Sequence, residues 1–180
     1  MMRRLPVRLS PAADELLSSW INRHAAFYVV PPLVMLRHCL PDARSLRTAD
    51  LHLTDTQVDH LASIFATEPD VVRGMTFTNV PQSARRLIAA RPLQFCPNCL
   101  SGHEDPRAIL RSQLSGWRVT CPFCGGPFQA GTEHDNLPSP FCQYRNAALR
   151  GEKLLDDEAE RGIRTWTSPS DIARLLLSGE

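Results

Sequence analysis

The sequence predicts a mainly α-helical fold that carries a small β element built around four cysteines. Three observations predict it. Apolar residues recur at spacings of three and four along several stretches, the signature of helices with one buried face. Two short helical patterns within 54–77 are joined by so brief a connection that they make a candidate helix-turn-helix. Cys96 and Cys99, and again Cys121 and Cys124, are each separated by two residues, with 21 residues between the pairs, in a stretch rich in proline and glycine. That last pattern is zinc-ribbon-like. The chain accordingly divides into a helical region at 1–92, a knuckle region at 93–132 and a C-terminal helical segment at 133–180.

The elements follow in order. In "SPAADELLSSWINRHAAFY", Ser10 is placed to cap a helix, Pro11 to take its first position, and Asp14 and Glu15 to lie where the helix dipole favours acids. Leu16, Leu17, Trp20, Ile21, His24 and Tyr28 then form one apolar stripe. Trp20 reads as core, and Arg23 can run its stem along that ring with its head free. "PPLVMLRHCL" predicts a second, shorter helix stopped by Pro41, and 41–53 reads as a loop. Thr54 or Asp55 caps the next helix, whose inner face is Val58, Leu61, Ala62 and Phe65. Glu68, Pro69 and Asp70 restart the chain into another, carrying Val71, Val72 and Met75. "PQSARRLIAA" predicts a further helix with Arg85 and Arg86 on its exposed side. The cysteine region should be loops and short strands, and "GTEHDNLPSP" a linker. Two helices finish the chain, one over roughly 142–161 and one opened by Ser168 and Pro169.

Composition narrows the function classes. Hydrophobic content of 43% and charged content of 22% suit a globular protein with a real core. No apolar run approaches the roughly 20 residues that span a bilayer, and the basic start "MMRRLPVRLS" lacks the apolar stretch of a signal peptide. A cytoplasmic protein with no membrane partner is expected, and there six cysteines are thiols or metal ligands rather than disulfides. The net charge of +1 is unevenly divided. Residues 71–118 carry seven arginines against Glu104 and Asp105, a local +5, whereas 133–180 is locally −3. The middle is therefore the candidate surface for an anionic partner such as DNA, with Arg73, Arg85, Arg86 and Arg91 as candidate phosphate contacts. The acid run Asp156, Asp157, Glu158 and Glu160 reads as a solvated helix face.

A two-residue gap lets both thiolates of one knuckle reach the same ion, and two such knuckles complete a tetrahedral site. Cys96, Cys99, Cys121 and Cys124 are thus expected to bind one Zn2+ per chain. Four cysteines leave no open coordination position, so this zinc is expected to be structural, tying the strand-like 117–120 segment to 93–95. Cys39, Cys142, His103 and His134 match no second ligand spacing. Motifs for a nucleophile elbow, a phosphate-binding loop, a metalloprotease helix or a paired-carboxylate nuclease are all missing, and no enzymatic activity is expected.

Taken together, these pieces resemble a known family. "LPVRLSPAADELLSSWINRHAAFY" is similar to the N-terminal signature of TniQ/TnsD-type transposition proteins through Ser19, Trp20, Ile21, Arg23 and Ala25. "FCPNCL" resembles that family's CPxCL knuckle, and "GWRVTCPFCG" its W-x-x-x-C-x-x-H-G segment. The resemblance runs over about 5–128. Cys124 stands where the family commonly has histidine, an exchange that keeps a tetrahedral site. A further CPxCG element and a longer C-terminal DNA-binding region, common in the family, are not recognisable here.

The resemblance implies a non-enzymatic adaptor that binds DNA and recruits an AAA+ transposition ATPase (TniB/TnsC-like), with a targeting complex as a further partner. It also implies that the N-terminal region meets other transposition proteins, and Arg23 is the candidate residue for that contact. Two other readings stand beside it: a zinc-stabilised helix-turn-helix transcription regulator, and a protein-only remnant of a mobile element.

Overall fold

The stripe that includes Leu17, Trp20, Ile21 and His24 becomes, together with Ala25, the inner face of the helix on which the first core is built. The structure, a computed structural model, describes residues 5–99, 108–130 and 140–177. Among them lie helices α1 (Leu17–Phe27), α2 (Pro32–Cys39), α3 (Leu46–Leu51), α4 (Asp55–Phe65), α5 (Pro69–Gly74) and α6 (Gln82–Arg85), then strand β1 (Gln94–Phe95) and helix α7 (Arg111–Leu114). Strand β2 (Gln129–Ala130) and helices α8 (Pro140–Arg161) and α9 (Pro169–Leu177) complete them. The fold is mainly helical with a small antiparallel β1–β2 ribbon beside a four-cysteine cluster, as the sequence predicts. No helix among the described residues is long and apolar enough to cross a membrane.

The first core is drawn from α1 to α5. Trp20 packs its ring 4.4 Å from that of Phe65, and His24 adds its own at 4.8 Å from Phe65. Both polar tips are satisfied by the chain ahead of the helix. Trp20 Nε1 donates to the Leu9 carbonyl (2.8 Å), and His24 Nε2 accepts from the Leu9 N–H (3.0 Å) while its Nδ1–H donates to the Trp20 carbonyl (2.9 Å). Burial lowers the His24 pKa, which keeps the ring in this neutral tautomer.

Helix α1 starts later than the sequence reading places it. Residues 10–16 are not helical: Asp14 sits at φ 58°, and Leu16, an apolar residue, occupies the cap position. The reason is Glu15. Its carboxylate turns inward, with its side chain fully buried, and accepts from Arg23 Nε (2.8 Å), Arg23 Nη2 (2.7 Å), Ser19 Oγ (3.0 Å) and the Ala12 N–H (2.9 Å). The head of Arg23 is therefore not free, as the sequence reading had it, but forms a two-point ion pair and also donates to the Ser10 carbonyl (2.7 Å). Helix α1 has no cap of its own, so its first N–H groups are met from elsewhere. Leu17 N–H donates to the Met75 carbonyl (3.0 Å) and Ser18 N–H to Asp50 Oδ1 (2.9 Å).

Asp50 belongs to α3, a helix within the segment expected to be a loop. Ser45 caps it, accepting from the Thr48 N–H (3.0 Å), and six residues are too few to display an apolar period. The α4 and α5 segments form as expected. Thr54 and Gln57 make a reciprocal capping box at the start of α4, Ala66 ends it in the left-handed region (φ 46°), and Pro69 opens α5.

A second core gathers Leu16, Phe77, Val80, Ala84, Ile88, Leu114, Trp117 and Ala159. It takes side chains from all three sequence segments, so the knuckle region and α8 share it with the helical region. The chain between the knuckles docks on the turn ahead of α1. Leu16 N–H donates to the Ile109 carbonyl (2.9 Å), Arg111 N–H to the Asp14 carbonyl (2.7 Å) and Ser112 N–H to Asp14 Oδ2 (3.0 Å). Gly116 instead closes onto the segment after α6: its N–H donates to the Leu87 carbonyl (2.9 Å), and a Cβ there would lie 2.7 Å from that oxygen. The acid run is not a solvated face. Glu158 is buried and accepts from Trp166 Nε1 (2.9 Å), Asp157 pairs with Arg161, and Asp156 and Glu160 bind Arg118 and Arg111.

Two variants test this arrangement. Arg23→Ala leaves a fully buried carboxylate without its cation and is expected to cost about 3–5 kcal/mol in chemical denaturation. A midpoint equal to the wild type would refute a stabilising role for this ion pair. Asp50 is pushed up to about 6 by burial, above its unfolded value, so its contribution is full at low pH and is lost as pH rises through about 6. Asp50→Asn keeps an acceptor for the Ser18 N–H and is expected to stabilise by about 1–3 kcal/mol at neutral pH, with the gain fading as pH falls from about 6 and gone below about 4. A stability gain that does not vary with pH would refute this account.

Candidate metal centre

Cys96 follows β1 directly, and Cys121 follows the 117–120 segment that leaves the second core at Trp117. The β1 strand pairs with β2 beyond the second knuckle, Gln94 opposite Ala130 and Phe95 opposite Gln129. The 117–120 segment instead closes its own knuckle through a bridge from Thr120 to Pro127 and the Phe128 N–H to Val119 carbonyl bond (3.0 Å). Both knuckles are thereby brought side by side. Gln94 secures the first one: its Nε2 donates to the carbonyls of Ser112 (2.9 Å), Arg118 (3.0 Å) and, at longer range, Ser115 (3.3 Å).

Within the second knuckle, Cys121 N–H donates to the Gly126 carbonyl (2.8 Å) and Gly125 N–H to the Cys121 carbonyl (2.9 Å). Gly125 sits at φ 68°, a conformation that suits glycine. Gly126 N–H points at Cys124 Sγ (3.4 Å), and a Cβ on Gly126 would lie 2.9 Å from Asn98 Nδ2 of the other knuckle. The two loops therefore lie in contact, the Asn98 side chain against Gly126.

All four sulfurs lie within 4.8 Å of one another, with Cys96 Sγ 3.5 Å from Cys124 Sγ and Cys99 Sγ 3.8 Å from Cys121 Sγ. A tetrahedral ion with metal–sulfur bonds of about 2.3 Å sets its sulfurs about 3.8 Å apart, so the cluster has the size to take one metal ion. Crowding splits the thiols. Hydrogen bonding with Cys124 pushes Cys99 up to about 12, whereas the Gly126 N–H, helped by Cys96, draws Cys124 down to about 7. Burial raises Cys121. Cys39 is a buried core residue, and burial pushes its thiol up to about 12; His103, His134 and the Cys142 side chain lie outside the described residues.

The four candidate phosphate-binding arginines are not equivalent. Arg73 is paired with Asp55 and Asp70, each at 3.0 Å. Arg85 is folded back, donating to the Val80 (2.9 Å) and Thr78 (3.0 Å) carbonyls and lying against the His52 ring at 2.8 Å. Arg86 and Arg91 are exposed. Arg111 and Arg118, which also contribute to the local positive charge, are engaged by α8 through Glu160 (3.0 Å) and Asp156 (2.7 Å). Sequence reasoning missed these α8 partners. The signal was there: Glu152, Asp156 and Glu160 recur every four residues, which places them on one helix face.

The TniQ family model matches residues 6–124, from the segment ahead of α1 to the last cysteine of the cluster. The chain belongs to the TniQ family. TniQ is associated with transposition, and the match ties α1 and both knuckles into one unit. No curated protein and no solved structure matches the chain.

Thiolate ligation makes metal binding compete with protons, so affinity is expected to rise steeply between about pH 6 and 8. Competition with a chromogenic chelator measures it. A flat profile would mean that the cysteines are not the ligands.

Proposed function

We propose that this TniQ protein is a non-enzymatic accessory factor of transposition that binds DNA and recruits an AAA+ transposition ATPase, with one structural Zn2+ held by Cys96, Cys99, Cys121 and Cys124. The family match over 6–124 carries this reading. The thiolate set supports zinc, because four sulfurs of this spacing suit a tetrahedral d¹⁰ ion and a reducing cytoplasm keeps them as thiolates. When bound, the ion supplies a cross-link between two knuckles whose strands are only two residues long. No coordination position is left over for substrate chemistry.

For DNA, Arg86 and Arg91 are the first contacts, being exposed and uncommitted to an ion pair among the described residues. Arg73 and Arg85 join only by exchanging their present acceptors for phosphate oxygens. The α4–α5 pair has the connection of a helix-turn-helix, but α5 is shorter than two turns and already buries Val72. Phosphate contacts of this kind give affinity without sequence information, which favours the adaptor over a transcription regulator. Arg23 serves the ATPase contact indirectly, by holding Glu15 and thus the turn ahead of α1.

Protein purified without added metal is expected to carry about one equivalent of zinc. Arg86→Ala combined with Arg91→Ala should lower the slope of log K against log salt by about 2 in duplex DNA binding. Unchanged slope and affinity would leave both arginines as a solvated face. Immobilised protein should retain the AAA+ ATPase of the same mobile element, and failure to retain it would overturn the adaptor reading.

A further inference from the structure

Glu152, Asp156 and Glu160 succeed one another every four residues along α8, a step of about 6 Å on one face. Each meets a donor on the 111–120 strip of the knuckle region. Glu152 accepts from Thr120 Oγ1 (2.9 and 2.8 Å) and from the Thr120 N–H (3.3 Å). Asp156 Oδ1 accepts from Arg118 Nη2 (2.7 Å) and Trp117 Nε1 (3.1 Å). Glu160 accepts from Arg111 Nη2 with both its oxygens (3.0 and 3.2 Å). A row of carboxylates thus lies along a row of hydroxyl, indole and guanidinium donors.

Two further observations bear on what that row of donors is for. Glu160 reaches only Nη2 of Arg111, and Arg111 Nε is buried without an acceptor. A ligand that accepts from both nitrogens, as a phosphate does, completes what the carboxylate leaves undone. The apolar footing of α8 on the second core is small, consisting of buried Ala159 and half-buried Leu155. The family match stops at 124, so the strip through Thr120 lies inside it and α8 lies outside.

We propose that Arg111, Trp117, Arg118 and Thr120 form a phosphate-binding surface for duplex DNA, and that α8 covers it as an intramolecular stand-in for the DNA backbone. The inference rests on the DNA-binding reading above and adds a second, masked surface to the exposed Arg86 and Arg91. DNA and α8 compete for the same donors. If α8 covers the strip about nine-tenths of the time, removing its charge raises affinity about tenfold.

The test is the triple variant Glu152→Gln, Asp156→Asn, Glu160→Gln, in which every acceptor oxygen is kept and only charge is lost. Its control is Asp42→Asn, Asp59→Asn, Glu68→Gln, an equal change of charge at exposed acids away from the strip. Binding to duplex DNA is measured against salt, with thermal melting of each protein as the check on folding. The proposal expects the α8 triple to bind about tenfold more tightly than the control, with a salt slope steeper by about 2 for the two released arginines. Adding Arg111→Ala and Arg118→Ala to the triple should cancel that gain. If the α8 triple and the control bind DNA equally, with equal slopes, the masked surface is refuted and the DNA-binding reading stands. If no folded variant binds DNA at all, both fall. Should the triple melt early, Asp156→Asn alone against Asp59→Asn alone gives the same comparison, with a slope difference of about 1 expected and none refuting it.

Discussion

Ahead of α1 the backbone reverses at Asp14, and from that reversal its groups face three different parts of the chain. Asp14 meets the first N–H groups of α7, Glu15 takes the Arg23 guanidinium into the interior, and Leu16 enters the second core. None of these could happen if the helix had begun at Pro11. A regular helix there would have turned Asp14 and Glu15 outward at the dipole's positive end, a modest surface gain. The structure gives that up for a buried pair and for the docking of 109–116 on the helical region. The docking of the segment between the two cysteine knuckles on the helical region follows from this turn.

Charge in this protein is organised by pairing rather than by patches. Seven arginines stand between 71 and 118, yet Arg73, Arg85, Arg111 and Arg118 all have acceptors within the chain. Arginine suits this use, because its planar fork can bind a carboxylate or several carbonyls while its stem covers apolar surface. A basic count taken from sequence therefore overstates the positive surface seen by a partner. The acidic tail is where much of the compensation comes from.

Most of the fold was legible where side-chain pattern and backbone need coincide. Thr54 with Gln57, the apolar face of α4, Pro69, and the two cysteine pairs each state their structure locally. The four-cysteine cluster was read in full because ligand spacing is itself a geometric constraint. What escaped was set by distant partners. Asp50 caps a helix 32 residues before it, Asp14 caps one 98 residues after it, and the strand that pairs with β1 lies past the second knuckle. Short elements such as α3 and α7 carry no period to detect. Helical spacing points Arg23 at Trp20, whereas its decisive partner is Glu15, an acid eight residues back that lies outside the helix.

The two cores also differ in when they can exist during synthesis. Residues 5–75 supply the whole buried cluster around Trp20, so that part of the chain can collapse as soon as it has emerged. The Ser19 hydroxyl, by contrast, waits for the Ile109 N–H 90 residues later, and Phe77 waits for Trp117. Until then the nascent chain presents Leu16 and Phe77 to its surroundings, an apolar surface that only the arrival of the knuckle region can cover. Ribosome position thus decides how long that surface stays open to chaperones or to aggregation.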